Sequence, residues 1–315
     1  MKRGILLLNF GGPWTISDVK PFLYRLFANP RVLVGVPTPI RQALAFTIAQ
    51  VKGPSSKKSY RAIGGGSPQL KWTAIQADGL RQLMPKDEVR VEIGMRSSEP
   101  SIETALRQLK FWGATELTLL PLFPQFSTTT TATCFDVVTE VLSKLEWQPV
   151  IHEVTSWPDH PEYIALLRST LDQAISEAGG MSALHVLFSA HSLPMKIVER
   201  GDPYPNDIAR TIKAVTEDLV YPWTLAFQSR NGKLPWLKPY IEDEIRRLAR
   251  EGVETLVVVP ISFVSDHIET LFELDQLYAD IARKHGIKKY HRARCFNGDV
   301  DFPRVLQSIV KGSYA

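Results

Sequence analysis

Eight short apolar runs alternate along the chain with longer segments in which apolar residues recur three and four positions apart. The runs cover 5–9, 89–93, 117–123, 150–154, 185–189, 224–228, 256–263 and 290–296. Helical patterns lie between them, for example Ile102, Leu106 and Leu109, or Ile164, Leu167, Leu171 and Ile175. This alternation predicts an α/β fold with parallel sheets covered by helices. Four strands fall in each half. Pro158 and Asp159 break the pattern after Ser156, which predicts domains over 1–156 and 157–315, with a final helix over 302–310 that either stays in the second half or crosses back to the first. The halves also echo each other. Gly113 followed by Leu117-Thr118-Leu119-Leu120-Pro121 matches Gly252 followed by Leu256-Val257-Val258-Val259-Pro260 without a gap, a pattern expected of two similar units or of any helix-to-strand junction.

Composition narrows the class. Hydrophobic residues at 44% and charged residues at 22% are ordinary for a globular chain, so disorder and fibrous repeats are excluded. The net charge of +4 is scattered, with no run denser than Lys57-Lys58, which argues against a nucleic-acid partner. The small excess suits an anionic substrate or peripheral contact with an anionic membrane surface. Two cysteines, Cys134 and Cys295, show no Cys-x-x-Cys spacing, which points to a reducing compartment and away from a cysteine-held zinc or iron–sulfur site. The apolar run after Lys2 and Arg3 breaks at Asn9 and reads as a first strand rather than a signal peptide. No stretch approaches the roughly 18 apolar residues of a membrane helix. The expected location is cytoplasmic, with room for contact at the inner face of the membrane.

The glycine motifs are not phosphate loops. Asn9-Phe10-Gly11-Gly12-Pro13 lacks the G-x-G-x-x-G spacing and Pro13 removes a donor, while Ile63-Gly64-Gly65-Gly66-Ser67-Pro68 lacks the Gly-Lys-Ser/Thr ending. Consecutive glycines permit close approach to a flat object, or simply form a turn before the helix that starts at Gln69. Phe123 and Phe126, beside Ser127, are read either as core or as one wall of an apolar cleft.

Two strand ends carry the chemistry. Val186-Leu187-Phe188 runs into Ser189-Ala190-His191, and Val257-Val258-Val259-Pro260 runs towards Asp266-His267-Ile268-Glu269. Carboxyl ends of parallel strands are where open α/β folds bind ligands. At about 100° per residue, a helix from Asp266 gathers Asp266, Glu269, Glu273 and Asp280 on one stripe, interrupted by Leu277, and sets Leu271, Leu274, Tyr278 and Ile281 on the packing side. An acidic stripe is either a solvated face or, at a strand end, a proton path or a loose site for a divalent metal, with His191 as its nitrogen partner.

Taken together, Asn9 to Pro13, Ile63 to Pro68, Met95-Arg96, Pro124-Gln125-Phe126-Ser127, Ser189 to Pro194, Gly201-Asp202-Pro203-Tyr204-Pro205, Gln228-Ser229, Pro235-Trp236-Leu237 and Phe263 to Glu273 resemble the ferrochelatases, which insert ferrous iron into a porphyrin at the end of haem synthesis. The resemblance implies two Rossmann-like domains, each with a four-stranded parallel sheet flanked by helices, and a porphyrin held between them. It implies His191 and Glu269 as catalytic residues facing each other across the macrocycle, with His191, Glu269 and Glu273 meeting the metal. Asp266, His267 and Glu273 would continue a proton or metal path. Ser229, Trp236 and Phe263 would line the porphyrin, with Phe10, Phe123, Phe126 and Ser127 as further wall residues and Arg61 and Arg96 near its propionates. Phe10 stands where family members carry Met or Tyr, so no axial ligand is expected there, and Ser97 replaces an aromatic residue after Arg96. Without the cysteine-bearing extension of animal members, no iron–sulfur cluster and no tightly bound cofactor is expected, and the implied membrane lip is reduced. Iron enters as a substrate. The favoured macrocycle is protoporphyrin IX; coproporphyrin III, a different tetrapyrrole and its chelatase, or a non-enzymatic two-lobed binding protein are the alternatives. Oligomeric state is not legible.

Overall fold

All eight apolar runs form strands: β1 (Arg3–Asn9), β2 (Val89–Met95), β3 (Glu116–Pro121), β4 (Val150–Glu153), β5 (Leu184–His191), β6 (Trp223–Gln228), β7 (Thr255–Pro260) and β8 (Lys289–Arg292). The computed structural model describes residues 2–179, 183–230, 232 and 234–314. Its strands pair in parallel as two four-stranded sheets of the same topology, β2-β1-β3-β4 and β6-β5-β7-β8. In each sheet the two inner strands are buried almost throughout while β4 and β8 at one edge are partly open. Burial on both faces explains why the inner strands read as unbroken apolar runs.

Four strands end earlier than the hydrophobicity predicts: β4 stops at Glu153 and β8 at Arg292, short of positions 154 and 296, and two others stop on prolines. β3 stops at Pro121 and β7 at Pro260, short of positions 123 and 263. A proline nitrogen has no hydrogen to extend the ladder. One further bond forms beyond each, from the Leu122 amide to the Leu8 carbonyl and from the Ile261 amide to the Ser189 carbonyl, before the chain leaves the sheet.

Helices pack on each sheet through the faces their periodicity marks. The helix Ile102–Trp112 is capped by the Ser101 hydroxyl, which accepts the Thr104 amide, and buries Ile102, Ala105, Leu106 and Leu109. It ends on Gly113 with φ +86°, a left-handed cap; Gly252, just past the helix Ile241–Arg250, has φ +85° and leads into β7 in the same way. The glycine motifs serve the backbone: the Ser67 amide donates to the Pro13 carbonyl, and a Cβ on Gly66 would lie 2.1 Å from the Trp14 carbonyl oxygen. Close approach here is of one loop to the other, within the first unit.

The chain divides into Met1–Ser156 with Asn297–Ala315, and Trp157–Phe296. The second unit therefore stops short of the 157–315 span read from the sequence. Its last segment returns to the first unit, where the helix Phe302–Gly312 packs on the helix Gln69–Leu83 and buries Phe302, Val305, Leu306, Ile309 and Val310. Among the described residues no helix is long and apolar enough to cross a membrane.

Candidate active site

In the second unit, β5, β6 and the segment after β7 bring one histidine, one serine and two glutamates into a single hydrogen-bonded chain. His191 is the last residue of β5. Its Nδ1 lies 2.7 Å from Oε2 of Glu269. The Ser229 hydroxyl, just past β6, is 2.8 Å from the same Glu269 oxygen and 2.5 Å from Oε2 of Glu273. Gln228, the last residue of β6, donates from Nε2 to the Glu269 carbonyl at 3.0 Å and to Glu273 Oε2 at 3.2 Å. Ser229 holds φ +65°, a left-handed conformation costing a non-glycine residue about 1 kcal/mol, and such strain collects at functional positions.

The glutamates ride on a π-helix, Glu269–Tyr278, which continues into the α-helix Ala279–Lys284. Turns closed by i→i+5 bonds are wider than α-turns and recur at functional sites. Leu274 and Tyr278 face the core as the periodicity predicts, and Leu277 is exposed. Asp266, in contrast, precedes the helix and does not join the carboxylate chain; its Oδ1 lies 3.0 Å from Arg292 Nη1. Asp280 is paired with Arg283 at 2.8 Å.

Electrostatics divide the two glutamates. Burial alone would raise the Glu269 pKa, but the charge and hydrogen bond of His191, joined by His267 with its Nε2 3.7 Å away, hold it well below the ordinary carboxylate range. Burial and the neighbouring Glu269 charge push Glu273 up to about 7. Burial disfavours the His191 imidazolium, yet Glu269, with Glu273 behind it, outweighs that and raises the imidazole pKa. Ser229 has one hydrogen and two carboxylate neighbours within reach, so it donates to Glu269 or to Glu273, one at a time.

A pocket of about 430 Å³ opens beside Glu273, lined also by Ser229, Arg230, Glu242 and Arg246 and by Leu277, Tyr278 and Ile281. The chain from His191 thus ends at a pocket of mixed polar and apolar lining. Among the described residues no three His, Cys, Asp or Glu side chains gather to hold a metal, so His191, Glu269 and Glu273 are not a ready-made cage. The expectation that His191 and Glu269 face each other across a macrocycle is also corrected, because 2.7 Å leaves no room for a ring between them.

Other expected residues sort by unit. Trp236 pairs across an isolated bridge with Pro194, and the Leu237 amide donates to the Leu193 carbonyl at 2.9 Å, so the Pro235-Trp236-Leu237 strand piece fixes the turn after His191. Phe263 stacks edge-on with His267, ring centroids 4.5 Å apart. In the first unit, Phe10, Arg96 and Phe123 follow β1, β2 and β3 at the same sheet edge, where Arg96 Nε donates to the Thr133 carbonyl at 3.1 Å and Phe123 packs on the core. Phe126 is half-buried, Arg61 is exposed near the end of the helix Thr38–Ala62, and Ser127 is buried and bonded to Thr129 at 2.8 Å. Sequence reasoning missed the linking role of Ser229 and the parts of Gln228, Tyr204 and Ser262. The Ser262 hydroxyl accepts the His191 amide at 3.2 Å and meets the Tyr204 hydroxyl at 2.7 Å. None of these contacts has a periodic signal.

The fold is that of the chelatases. SirB from Bacillus subtilis with Fe3+ matches with a TM-score of 0.61 at 15% identity, covering 100% of this chain and 96% of that one. CbiX, the terminal enzyme for biosynthesis of siroheme in denitrifying bacteria, matches at 0.54 and 14%, covering 99% of each. The family model for ferrochelatase matches residues 2–314. Ferrochelatases of Gloeobacter violaceus and Synechococcus elongatus are 39% and 40% identical, over 98% of this chain and 96% and 81% of theirs. The chain belongs to the ferrochelatase family.

Proposed function

We propose that the protein inserts Fe2+ into protoporphyrin IX, releasing two protons and yielding protohaem. The observation that carries this reading is the chain His191–Glu269–Ser229–Glu273, which starts at a strand end and finishes at a pocket beside Glu273. With its Nδ1 hydrogen given to Glu269, the neutral imidazole of His191 keeps its Nε2 lone pair for the substrate. That lone pair takes a pyrrole proton, and the adjacent carboxylate stabilises the imidazolium that forms. A proton handed from the His191 imidazolium to Glu269 moves on through the Ser229 hydroxyl, which accepts it and gives its own hydrogen to an ionised Glu273, whose pKa of about 7 lets it then release that proton near neutrality. His191 and Glu269 act from one face of the ring. Bending the macrocycle to expose pyrrole lone pairs costs energy that binding its apolar body offsets.

Incubation with protoporphyrin IX and either anaerobic Fe2+ or Zn2+ is expected to shift the visible spectrum over many turnovers. A stoichiometric shift that stops at one equivalent would mark a binding protein instead. Equimolar coproporphyrin III in competition is expected to be the poorer substrate, and preference for it would reassign the macrocycle.

Peripheral membrane contact is part of the same reading. The helix Thr38–Ala62 exposes Ile40, Phe46 and Val51 on the same element as Lys52, Lys57 and Lys58, a pairing suited to an anionic bilayer surface. Sedimentation with vesicles is expected to be stronger for anionic than for zwitterionic lipid, and equal sedimentation removes this part.

A further inference from the structure

We infer that Arg292 is a positioning residue for the reaction: it holds the π-helix in the register that lets Glu269 and Glu273 meet on Ser229. This rests on the reading of that chain as the proton path. Arg292 is the last residue of β8, and only 11% of its side chain is exposed. Its guanidinium reaches two carboxylates that lie on either side of Glu269 and Glu273 in the chain. Nη1 lies 3.0 Å from Oδ1 of Asp266, just before the helix, a contact held by charge rather than by an aligned hydrogen bond. Nε and Nη2 grip Asp275, within the helix, at 2.6 and 2.9 Å. The two-pronged grip on Asp275 fixes orientation as well as distance, which a lysine ammonium would not do.

A wide turn needs such help. Side chains from the neighbouring strands also occupy helix carbonyls: the Tyr290 hydroxyl donates to Leu274 at 2.8 Å and Gln228 Nε2 to Glu269 at 3.0 Å. Arg292 and Tyr290 come from one strand and Gln228 from another, so β6 and β8 pin the segment at separate points. Relaxation to α-turns would rotate Glu273 against Glu269. A hydroxyl that touches both at 2.5 and 2.8 Å could not then do so.

The test compares Arg292→Gln, Arg292→Lys and Asp275→Asn with the whole protein, using Zn2+ and protoporphyrin IX, well below each variant's melting temperature. Arg292→Gln is expected to lower kcat on the order of 10²-fold, as misplacement of a reacting group does, with KM for porphyrin unchanged. Arg292→Lys is expected to recover only part of the loss. Asp275→Asn lies on the more exposed side and keeps the fold if Arg292→Gln does not; it is expected to lower kcat in the same sense. The double variant Asp275→Asn with Arg292→Gln is expected to be no worse than Arg292→Gln alone. A crystal structure of Asp275→Asn or Arg292→Gln is expected to show Ser229 parted from one glutamate. Wild-type kcat in folded variants, or both contacts to Ser229 intact in that structure, overturns the inference. Failure of the functional reading would show differently, as absence of insertion by the unaltered protein with the Ser229 contacts still dependent on Arg292.

Discussion

His191→Ala is expected to abolish metal insertion while leaving porphyrin binding in place. The imidazole supplies the lone pair that removes a pyrrole proton, a contribution of about 10²–10⁴-fold in rate for a positioned base. The loss extends beyond the base. Burial pushes the Glu269 carboxyl upwards, and His191 is foremost among the groups that counter it. Without the imidazole, Glu269 moves towards its neutral form, and the site loses its anion together with its base. Ring binding draws on apolar contact elsewhere and survives. Fluorescence quenching of protoporphyrin IX, read beside Zn2+ insertion, separates the two effects. Turnover near the wild-type rate in a folded His191→Ala protein removes the imidazole from the mechanism.

Why the strands were legible and the chain of contacts was not follows from physics. A strand buried on both faces has no choice but a continuous apolar run, so β1, β3, β5 and β7 are visible in the residues alone. The ends of β3 and β7 depend on a single atom, the missing hydrogen of Pro121 or Pro260, which hydropathy does not register. The match of Gly113 with Gly252 marks a shared topology: in both sheets the third strand leaves a left-handed glycine, lies beside the central strand and ends on proline. Pairing of Leu8 with Pro121 and of Ser189 with Pro260 then puts Phe10 in the first unit where His191 stands in the second. His191 and Glu269 are legible because the first closes β5 and the second stands on the segment that leaves β7. The acidic stripe was only half right. An angle of about 100° per residue presumes α-turns from Asp266 onward. In the structure the helix starts later, widens to a π-helix, and leaves Asp266 to Arg292. Ser229 entered through the resemblance alone, as a porphyrin-lining residue; its place between the two glutamates gave no signal because it depends on a positive φ, and nothing in a serine announces one.

The second large effect concerns the carboxylate. Glu269→Gln preserves shape and removes charge, and it is expected to lower the maximal rate while moving the acid limb of the pH profile to lower pH. In the unaltered protein burial lowers the imidazole pKa, but the Glu269 charge reverses this and carries it above the usual value of about 6.5. Only the neutral ring accepts a pyrrole proton, so the rate rises with pH on a limb set by that elevated value. A glutamine leaves burial unopposed by Glu269, so the imidazolium loses its proton more readily and the limb falls. Glu273 moves in the same direction, since the neighbouring charge is one reason it sits at about 7. Both shifts share a sign, and compensation between them does not mask the result. The rate at the new plateau is nevertheless lower, because the imidazolium formed during proton removal no longer has an anion 2.7 Å away to stabilise it. Rate profiles for Zn2+ insertion from pH 5 to about 9 span the ordinary range of histidine titration and test both parts. A limb that stays in place, or climbs, would mean that the histidine and the glutamate do not act as one proton-handling pair.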